Sequence, residues 1–456
     1  MAGIGFELKH RIPDASLLGH ARRLSFAAVI AGGPWIFSII TLLIMTIISL
    51  HAGMSRQSLQ QFLVTNTYLI AHAQIISGGF QLTLTRYTAD LIFTQQQHLV
   101  FGNLLGNVIT VSVISMPIGV WLATSLHTMP LAFRCLSAMA LPIFCIIWVC
   151  ILFLSSIKAY RAMTAALLFS YGCIVMQVLL ADSHSPTQLL LAFVSGHLIA
   201  VLLLMILIWR AYPGHLTVSF SALRWTPTTR RLMLCGLFYN SAIWIDKFIF
   251  WLSPGLSKPI AGWFHASLIY DLPIFLANVA IIPGLAIFLL TTETDFATKC
   301  QRYFKRLNAD ATLNELLELK QDLVNSYREG LILLCKVQAL TSLILFTYSE
   351  PLFNLLHIEP IYRPIFCVDL MGMSFLMLLM SQLNTLFYLN QLRTALQLTI
   401  ALLLSNGLLT AASVRAGLSF YGYGFSTAAL VTCVLGFYLL NNTFTQLEIK
   451  SLLQRD

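Results

Sequence analysis

Four charged residues lie inside apolar segments of the chain, where lipid would not tolerate an unshielded charge. Asp246 and Lys247 are adjacent within the segment YNSAIWIDKFIFWL. Asp271 stands two residues before Pro273 in the next apolar segment, and Asp369 lies in a later one. An ionised side chain at the centre of a bilayer costs roughly 3 kcal/mol, so such residues normally face protein or water. The pattern predicts a polar cavity within a membrane protein. Three roles are open for these charges: a structural ion pair between packed helices, a proton or cation coupling site, or a gate.

The composition identifies the class of protein that must position these charges. The chain has 456 residues, of which 58% are hydrophobic and 10% are charged. Soluble domains carry about 25% charged residues, so a soluble core is excluded. Apolar runs long enough to cross a bilayer as helices recur along the sequence, whereas a β-barrel would show short alternating segments. The formal charge of +9 is not concentrated in a dense basic patch, which argues against nucleic-acid binding.

The sequence contains no motif of a catalytic or metal site. No GxSxG, HExxH, Walker A or CxxC pattern occurs, and the nine cysteines are scattered. We therefore predict that the chain is not an enzyme, with no catalytic residues, no bound metal and no cofactor.

The hydropathy pattern predicts an all-α polytopic protein with about 12 transmembrane helices. Lys and Arg concentrate in the connections that share a side with the N-terminus, which predicts cytoplasmic termini. The predicted spans are 25–50, 61–92, 100–125, 130–156, 161–181, 187–209, 231–253, 264–291, 329–349, 362–388, 391–414 and 422–446.

Two connections suggest how the chain is organised. A cytoplasmic linker at 210–230 separates an N-terminal lobe of six helices, 1–209, from a C-terminal lobe, 231–456. The first lobe opens with a predicted interfacial helix over residues 1–23.

The cytoplasmic loop at 292–328 has helical periodicity and predicts a helical hairpin. Phe296 and Tyr303 fall on one apolar face, and Thr312 with Glu315 has the spacing of a capping box that opens a second helix. This hairpin is either a stabilising cover for the eighth and ninth spans or a docking surface for a cytoplasmic partner. The candidate docking residues are Phe296, Tyr303, Phe304 and Arg306.

Further polar residues extend the candidate substrate path. Gln81 lies on a polar stripe of the second span, and Arg86 with Asp90 forms an i,i+4 pair near its inner end. These residues either bind neighbouring helices or line the path. The complete set of candidates for the substrate path or gate is Gln81, Arg86, Asp90, Asp246, Lys247, Asp271, Asn278, Lys336 and Asp369.

Several sequence motifs resemble those of one known family. They are MAGIGFEL, AAVIAGGPWIFSI, RYTADLIF, IYDLPIFLANVAIIPGLAIFLL followed by TETDF, and REGL with KVQ. Together they resemble the Pel exopolysaccharide transporters of the multidrug/oligosaccharidyl-lipid/polysaccharide exporter superfamily. The resemblance implies two six-helix lobes around a central cavity that opens alternately to either side.

The same resemblance implies a function and partners. The function would be export of a Pel-type, hexosamine-rich polysaccharide across the bacterial inner membrane for the biofilm matrix. The partners would be a cyclic-di-GMP-responsive membrane subunit, a membrane scaffold subunit and a cytoplasmic glycosyltransferase. Two alternatives remain open from the residues. One is a cation-coupled flippase of small molecules or lipid-linked sugars, and the other is a non-transporting scaffold of a polysaccharide synthase complex.

Overall fold

The computed structural model describes residues 33, 36–156, 159–181, 183–214, 217–309 and 311–447. The predicted interfacial helix at 1–23 lies outside these residues. Almost all of the described chain is helical. The α-helices, numbered in chain order, are α1 (Ile36–His51), α2 (Arg56–Phe93), α3 (Val100–Ser125), α4 (Leu131–Ser156), α5 (Tyr160–Leu179), α6 (Pro186–Ala211), α7 (Pro227–Leu252), α8 (Leu268–Val279), α9 (Ile281–Leu290), α10 (Ala297–Leu307), α11 (Leu313–Thr347), α12 (Ser349–Leu355), α13 (Arg363–Tyr388), α14 (Leu392–Ala416) and α15 (Tyr423–Thr445).

The structure confirms a polytopic helical membrane protein. Within the described residues, ten helical segments are long and apolar enough to cross a membrane. The first two predicted spans are not among the ten. The first is described only over α1, which is too short to meet the length for a span. α2 is one continuous helix, but its many Gln, Thr, Ser and Asn residues lower its mean hydropathy. The exact number of twelve spans therefore stays a prediction.

The predicted eighth span is two helices that meet at Ala280. α8 ends at Val279 and α9 begins at Ile281. Pro283 explains the position of the break, because proline lacks the N–H that would bond the carbonyl four residues earlier and its ring clashes there. The carbonyl of Ala280, at the junction of the two helices, accepts a hydrogen bond from Gln338 Nε2 on α11, at 3.1 Å. A side chain of the neighbouring helix thus bonds the backbone at the junction.

A short β-hairpin precedes α8 and was not predicted from the sequence. Strands β1 (Lys258–Ala261) and β2 (Phe264–Ala266) pair antiparallel. Tyr68 of α2 fixes the hairpin: its hydroxyl donates to the carbonyl of His265 and its ring stacks on Phe264, with centroids 4.2 Å apart. The hairpin is therefore held by aromatic packing from a residue nearly two hundred positions away.

The predicted helical hairpin is present, with one difference in its second arm. α9 continues through a π-helical segment, Thr291–Phe296, into α10. After a short turn, α11 runs without interruption to Thr347, so the second arm and the ninth span are one helix. The sequence explains this continuity, since no proline occurs between 313 and 347. Thr312 caps α11 by accepting from the N–H of Glu315, but the Glu315 carboxylate bonds Arg306 instead of completing a capping box.

The chain divides into two compact units. The amino-terminal unit consists of Gly33–Trp244 and Phe250–Ser267. The carboxy-terminal unit contains Ile245–Ile249 of α7 together with the chain from Leu268 onward. The lobe limits predicted from the linker at 210–230 remain a prediction. All the residues of the charged cluster described next belong to the carboxy-terminal unit.

Candidate functional site

Asp246 and Lys247 form an ion pair inside the carboxy-terminal unit. Lys247 Nζ lies 3.0 Å from Asp246 Oδ2 and 3.3 Å from Oδ1. The side chain of Asp246 is 0% exposed and that of Lys247 is 8% exposed. Adjacent residues of a helix point about 100° apart and do not normally face each other. The surrounding side chains must therefore hold these two together.

Tyr270 and Phe425 are two of the groups around this pair. The Tyr270 hydroxyl of α8 donates a 2.6 Å hydrogen bond to Asp246 Oδ2. The Lys247 ammonium lies 5.8 Å from the centroid of the Phe425 ring on α15, within the range of a cation–π interaction. The Asp246 carboxylate thus accepts a hydrogen bond from Tyr270 and pairs with a positive charge. The Lys247 ammonium is stabilised by the carboxylate and by the Phe425 ring.

Asp369 of α13 adds a second buried carboxylate that interacts electrostatically with Asp246 and Lys247. Its side chain is completely buried. Neither carboxylate oxygen has a hydrogen-bond partner among the described residues. Gly422 borders this carboxylate: a Cβ at that position would stand 3.0 Å from Asp369 Oδ1, and the backbone there has a φ of +86° that disfavours other residues.

The cluster of Asp246, Lys247, Tyr270 and Asp369, called here the charged cluster, carries an unbalanced charge. Two carboxylates oppose one ammonium, so the fully ionised cluster has a net charge of −1. Burying an uncompensated charge is strongly unfavourable, because protein packing replaces the water that would solvate it. Binding of one proton or one monovalent cation would therefore make the charged cluster neutral.

Each of the two carboxylates lies the same distance from one end of its helix. Asp246 lies six residues before the end of α7, and Asp369 lies six residues after the start of α13. At 1.5 Å per residue, each is about 9 Å from its helix end. The two residues lie on different helices, and the structure brings them into one cluster.

The other predicted path residues of this unit are dispersed. Asp271, in the first turn of α8, is half-buried and acts electrostatically on Tyr270. Asn278 is half-buried near the end of the same helix, and Lys336 is exposed on α11. Tyr270, Gly422 and Phe425 were not predicted from the sequence. The signal for Tyr270 was its position beside Asp271 in the motif IYDLP.

The predicted path residues on α2 belong to the amino-terminal unit. Gln81 and Arg86 are half-buried, and Asp90 is exposed and lies within the electrostatic influence of Arg86. The indole of Trp244 donates a 2.8 Å hydrogen bond to Gln74 of the same polar stripe. One residue of the stripe therefore binds a neighbouring helix. The roles of Gln81, Arg86 and Asp90 in a substrate path stay a prediction.

The predicted docking residues of the hairpin occupy buried and exposed positions in the structure. Phe296 and Tyr303 are buried, and Phe296 packs edge-on against Tyr327 and Tyr388. Phe304 is half-buried against Tyr303. Arg306 is exposed and pairs with Glu315, with 2.8 Å between its Nη2 and Glu315 Oε2. Phe296 and Tyr303 therefore pack the hairpin against its own unit, and a docking role for the four residues stays a prediction.

The ion pair of the hairpin predicts a limited dependence on pH. The hydrogen bond from Arg306 lowers the pKa of Glu315 below its ordinary value of 4.5. A lowered pKa means that the pair contributes stability above pH 4.5 and loses it as the pH falls through the pKa of the folded state. We expect the rate of limited proteolysis of the hairpin to be constant around neutral pH and to rise only in acid. Glu315→Gln should remove that acid step, and a step that persists would contradict the assignment.

Comparison with known structures identifies the fold. An outward-facing multidrug resistance MATE family transporter of the MOP superfamily superposes with a TM-score of 0.68 at 12% identity, covering 98% of this chain and 99% of that chain. A MOP superfamily transporter from Pyrococcus furiosus gives a TM-score of 0.65 at 11% identity, covering 98% and 99%. The inward-facing form of a MATE transporter gives a TM-score of 0.56 at 11% identity, covering 89% and 99%. The chain therefore has the two-lobed MATE-like transporter fold.

Comparison with sequence families identifies the relatives. No functionally curated protein matches the chain significantly. The family described as "PelG: Putative exopolysaccharide Exporter (EPS-E)" matches residues 1–451. The family and the fold are those of a transporter and not of an enzyme. Taken with the helical architecture and the charges buried between its helices, this match over nearly the whole length shows that the chain belongs to the PelG family of exopolysaccharide exporters.

Proposed function

We propose that the chain exports a Pel-type, hexosamine-rich polysaccharide across the bacterial inner membrane, with both termini in the cytoplasm, for the biofilm matrix. The observation that carries the mechanism is the unbalanced charged cluster. A static membrane scaffold has no need of a buried carboxylate without a hydrogen-bond partner. A transporter that changes conformation can use such a group, because binding and release of a proton or cation alter the stability of each state.

The proposed transport cycle depends on the binding and release of one proton or cation at the charged cluster. A proton or monovalent cation at Asp369 neutralises the cluster and favours the packed arrangement of α7, α8, α13 and α15 around it. Its loss leaves two carboxylates repelling each other beside Lys247. A ligand shifts a conformational equilibrium only through its different affinity for the two states, and this repulsion supplies such a difference. The unpartnered oxygens of Asp369 are the atoms that would bind the proton or cation.

Partners enter the proposal at the cytoplasmic surface. We propose that the outer face of the hairpin meets the glycosyltransferase or the membrane subunits implied by the sequence resemblance. Arg302 and Lys305 are exposed there, whereas the aromatic residues are turned inward. A partner at this face would therefore recognise positive charge more than apolar surface.

Asp369→Asn tests the proposed function. The amide is nearly isosteric but cannot carry the exchangeable charge, so we expect normal accumulation in the membrane and loss of export to the level of a deletion strain. Export is measured as polymeric amino sugar in the medium after acid hydrolysis. The matched control is Glu359→Gln, an exposed carboxylate outside the hairpin, which should export normally.

Two outcomes would contradict the proposal at different points. If the deletion strain releases as much polymeric amino sugar as the parent, the substrate is wrong. If the deletion abolishes release but Asp369→Asn restores it fully, the charged cluster is structural and the transport cycle does not use it.

A further inference from the structure

The second half of the linker between α6 and α7 is held against α3. This segment, residues 217–224, is called here the linker strap. The Ser219 N–H donates a 2.9 Å hydrogen bond to the carbonyl of Gly102 on α3. A Cβ at Gly102 would overlap the carbonyl oxygen of Thr217, and one at Gly106 would overlap that of Ser219. The two glycines therefore leave a groove on α3 that accepts the backbone of the strap.

Asn103 of α3 fastens the strap in this groove. Its side chain is buried, and its Oδ1 accepts from the Ala222 N–H at 3.1 Å and from the Ser219 hydroxyl at 3.4 Å. Its Nδ2 donates to the carbonyl of Leu99 at 2.9 Å. Because the amide nitrogen is bonded within α3, the amide oxygen is the atom that faces the strap.

Most of the strap's backbone N–H groups are bonded within the chain. Besides those of Ser219 and Ala222, the N–H groups of Ser221, Leu223 and Arg224 donate to oxygens of the strap itself. Water would satisfy such groups in an exposed loop, whereas hydrocarbon leaves them to the protein. The bonding of the strap therefore suits a position with little water.

The depth of the groove places the strap at the membrane boundary. α3 has 26 residues, so it is about 39 Å long, against about 30 Å for the hydrocarbon of a bilayer. A helix centred in the bilayer therefore extends about 5 Å beyond the hydrocarbon at each end. Gly106 lies six residues after the start of α3, or about 9 Å along its axis. The strap thus crosses the lipid–water interface and reaches the first acyl carbons.

The strap lies on a side of α3 that faces lipid. Gly102, Gly106, Ile109 and Val113 follow each other at intervals of four, three and four residues, so they share one face of the helix. Beyond the strap this face is apolar and uncovered, with Val113 66% exposed in the middle of the span. Phe220 of the strap is 52% exposed, and its ring borders Gly106. Phe220 therefore continues an apolar surface that meets acyl chains.

The residues around the strap carry only positive charge. Arg210 lies in the last turn of α6, Arg224 ends the strap and Arg230 follows in α7, and all three side chains are exposed. No acidic residue occurs in the sequence between positions 183 and 245. Arginine binds phosphate through parallel hydrogen bonds, and basic residues beside a membrane attract anionic lipids.

We propose that the linker strap is a binding site for an anionic glycerophospholipid. Phe220 packs among the acyl chains beside α3, and Arg210 and Arg224 bind the phosphate of the headgroup. The bound lipid holds the linker at a fixed depth in the interface. The inference rests on the membrane-spanning fold and is independent of the proposed polysaccharide substrate.

Photo-crosslinking in nanodiscs tests the linker strap. p-Benzoylphenylalanine replaces Phe220 in the full chain, in nanodiscs of phosphatidylglycerol and phosphatidylcholine in equal amounts, and intact-mass spectrometry identifies the attached lipid. We expect phosphatidylglycerol to exceed phosphatidylcholine among the adducts by at least about threefold, because the arginines attract its net negative charge. The same probe at Val113 should attach both lipids equally, and at the exposed Glu318 of the hairpin it should attach neither.

Arginine variants then decide whether the headgroup is recognised. Arg210→Gln combined with Arg224→Gln should lower the lipid ratio at Phe220 to the ratio found at Val113, while the total yield of lipid adducts stays the same. This result separates loss of the headgroup contact from misfolding of the strap. The matched control is Arg56→Gln, an exposed arginine at the start of α2, which should leave the ratio unchanged.

Four results would overturn the inference. They are the absence of lipid adducts at Phe220 when Val113 forms them, equal attachment of the two lipids at Phe220, a ratio that the double arginine variant leaves unchanged, and attachment to a protein in place of lipid when the Phe220 probe is irradiated in native membranes.

Discussion

Asp246→Asn is expected to destabilise the carboxy-terminal unit by up to about 3 kcal/mol, because it removes the carboxylate that contacts the buried Lys247 ammonium and leaves only the more distant Asp369 as its counter-charge. The buried group left behind is Lys247, whose ammonium lies 3.0 Å from the Asp246 carboxylate. The Tyr270 hydroxyl would still find an acceptor in the asparagine oxygen. The loss therefore reports the charge and not the hydrogen bond. Thermal unfolding in detergent and export in cells measure the two consequences.

The matched variant is Asp246→Asn combined with Lys247→Met. It removes both charges while keeping an unbranched side chain of similar length at 247. Replacing a buried ion pair with apolar groups is often neutral for stability. With Lys247 replaced, the cluster is neutral once Asp369 binds a proton, so we expect the double variant to recover most of the stability lost by Asp246→Asn, but not the export. If Asp246→Asn unfolds at the same temperature as the exposed control Glu359→Gln, the pair is not held as the structure shows.

Gly236→Ala is expected to have the second largest effect, on the amino-terminal unit. α2 and α7 approach so closely there that a Cβ at Gly236 would overlap the carbonyl oxygen of Gly78. The oxygen and the carbon of this carbonyl are both backbone atoms, so the clash cannot be relieved by moving a flexible side chain. Overpacking of this kind costs about 1–3 kcal/mol or more, and here it also separates the helices that the Trp244–Gln74 hydrogen bond joins.

Gly172→Ala is the matched control for the helix crossing. Gly172 also lies in a helix, α5, but a Cβ added there would have no heavy atom within 4 Å. Alanine is a better helix former than glycine, so this change should be neutral or slightly stabilising. Thermal unfolding of the two variants in parallel isolates the effect of the close approach. Equal unfolding temperatures for Gly236→Ala and Gly172→Ala would contradict the observed crossing.

The sequence by itself determined the class of protein and most of the helices. Continuous apolar runs can satisfy their backbone within a bilayer only as helices, so the membrane class and the ten spans found among the described residues followed from local composition. The hairpin followed from its amphipathic periodicity. The absence of enzyme motifs and the family resemblance also agree with the fold and the family found. The charges inside the spans were identified in advance for the same reason, since each one is improbable in lipid wherever it lies.

Only the tertiary structure decided which of these charges meet. Asp246 and Asp369 are far apart in the sequence, and no local pattern shows that Tyr270 bonds the first or that Gly422 borders the second. Helix packing brings distant residues together, and it also turned Phe296 and Tyr303 inward and left Lys336 outside. Residue type and spacing can state that a buried charge needs a partner, whereas the choice of partner depends on how the helices pack against one another.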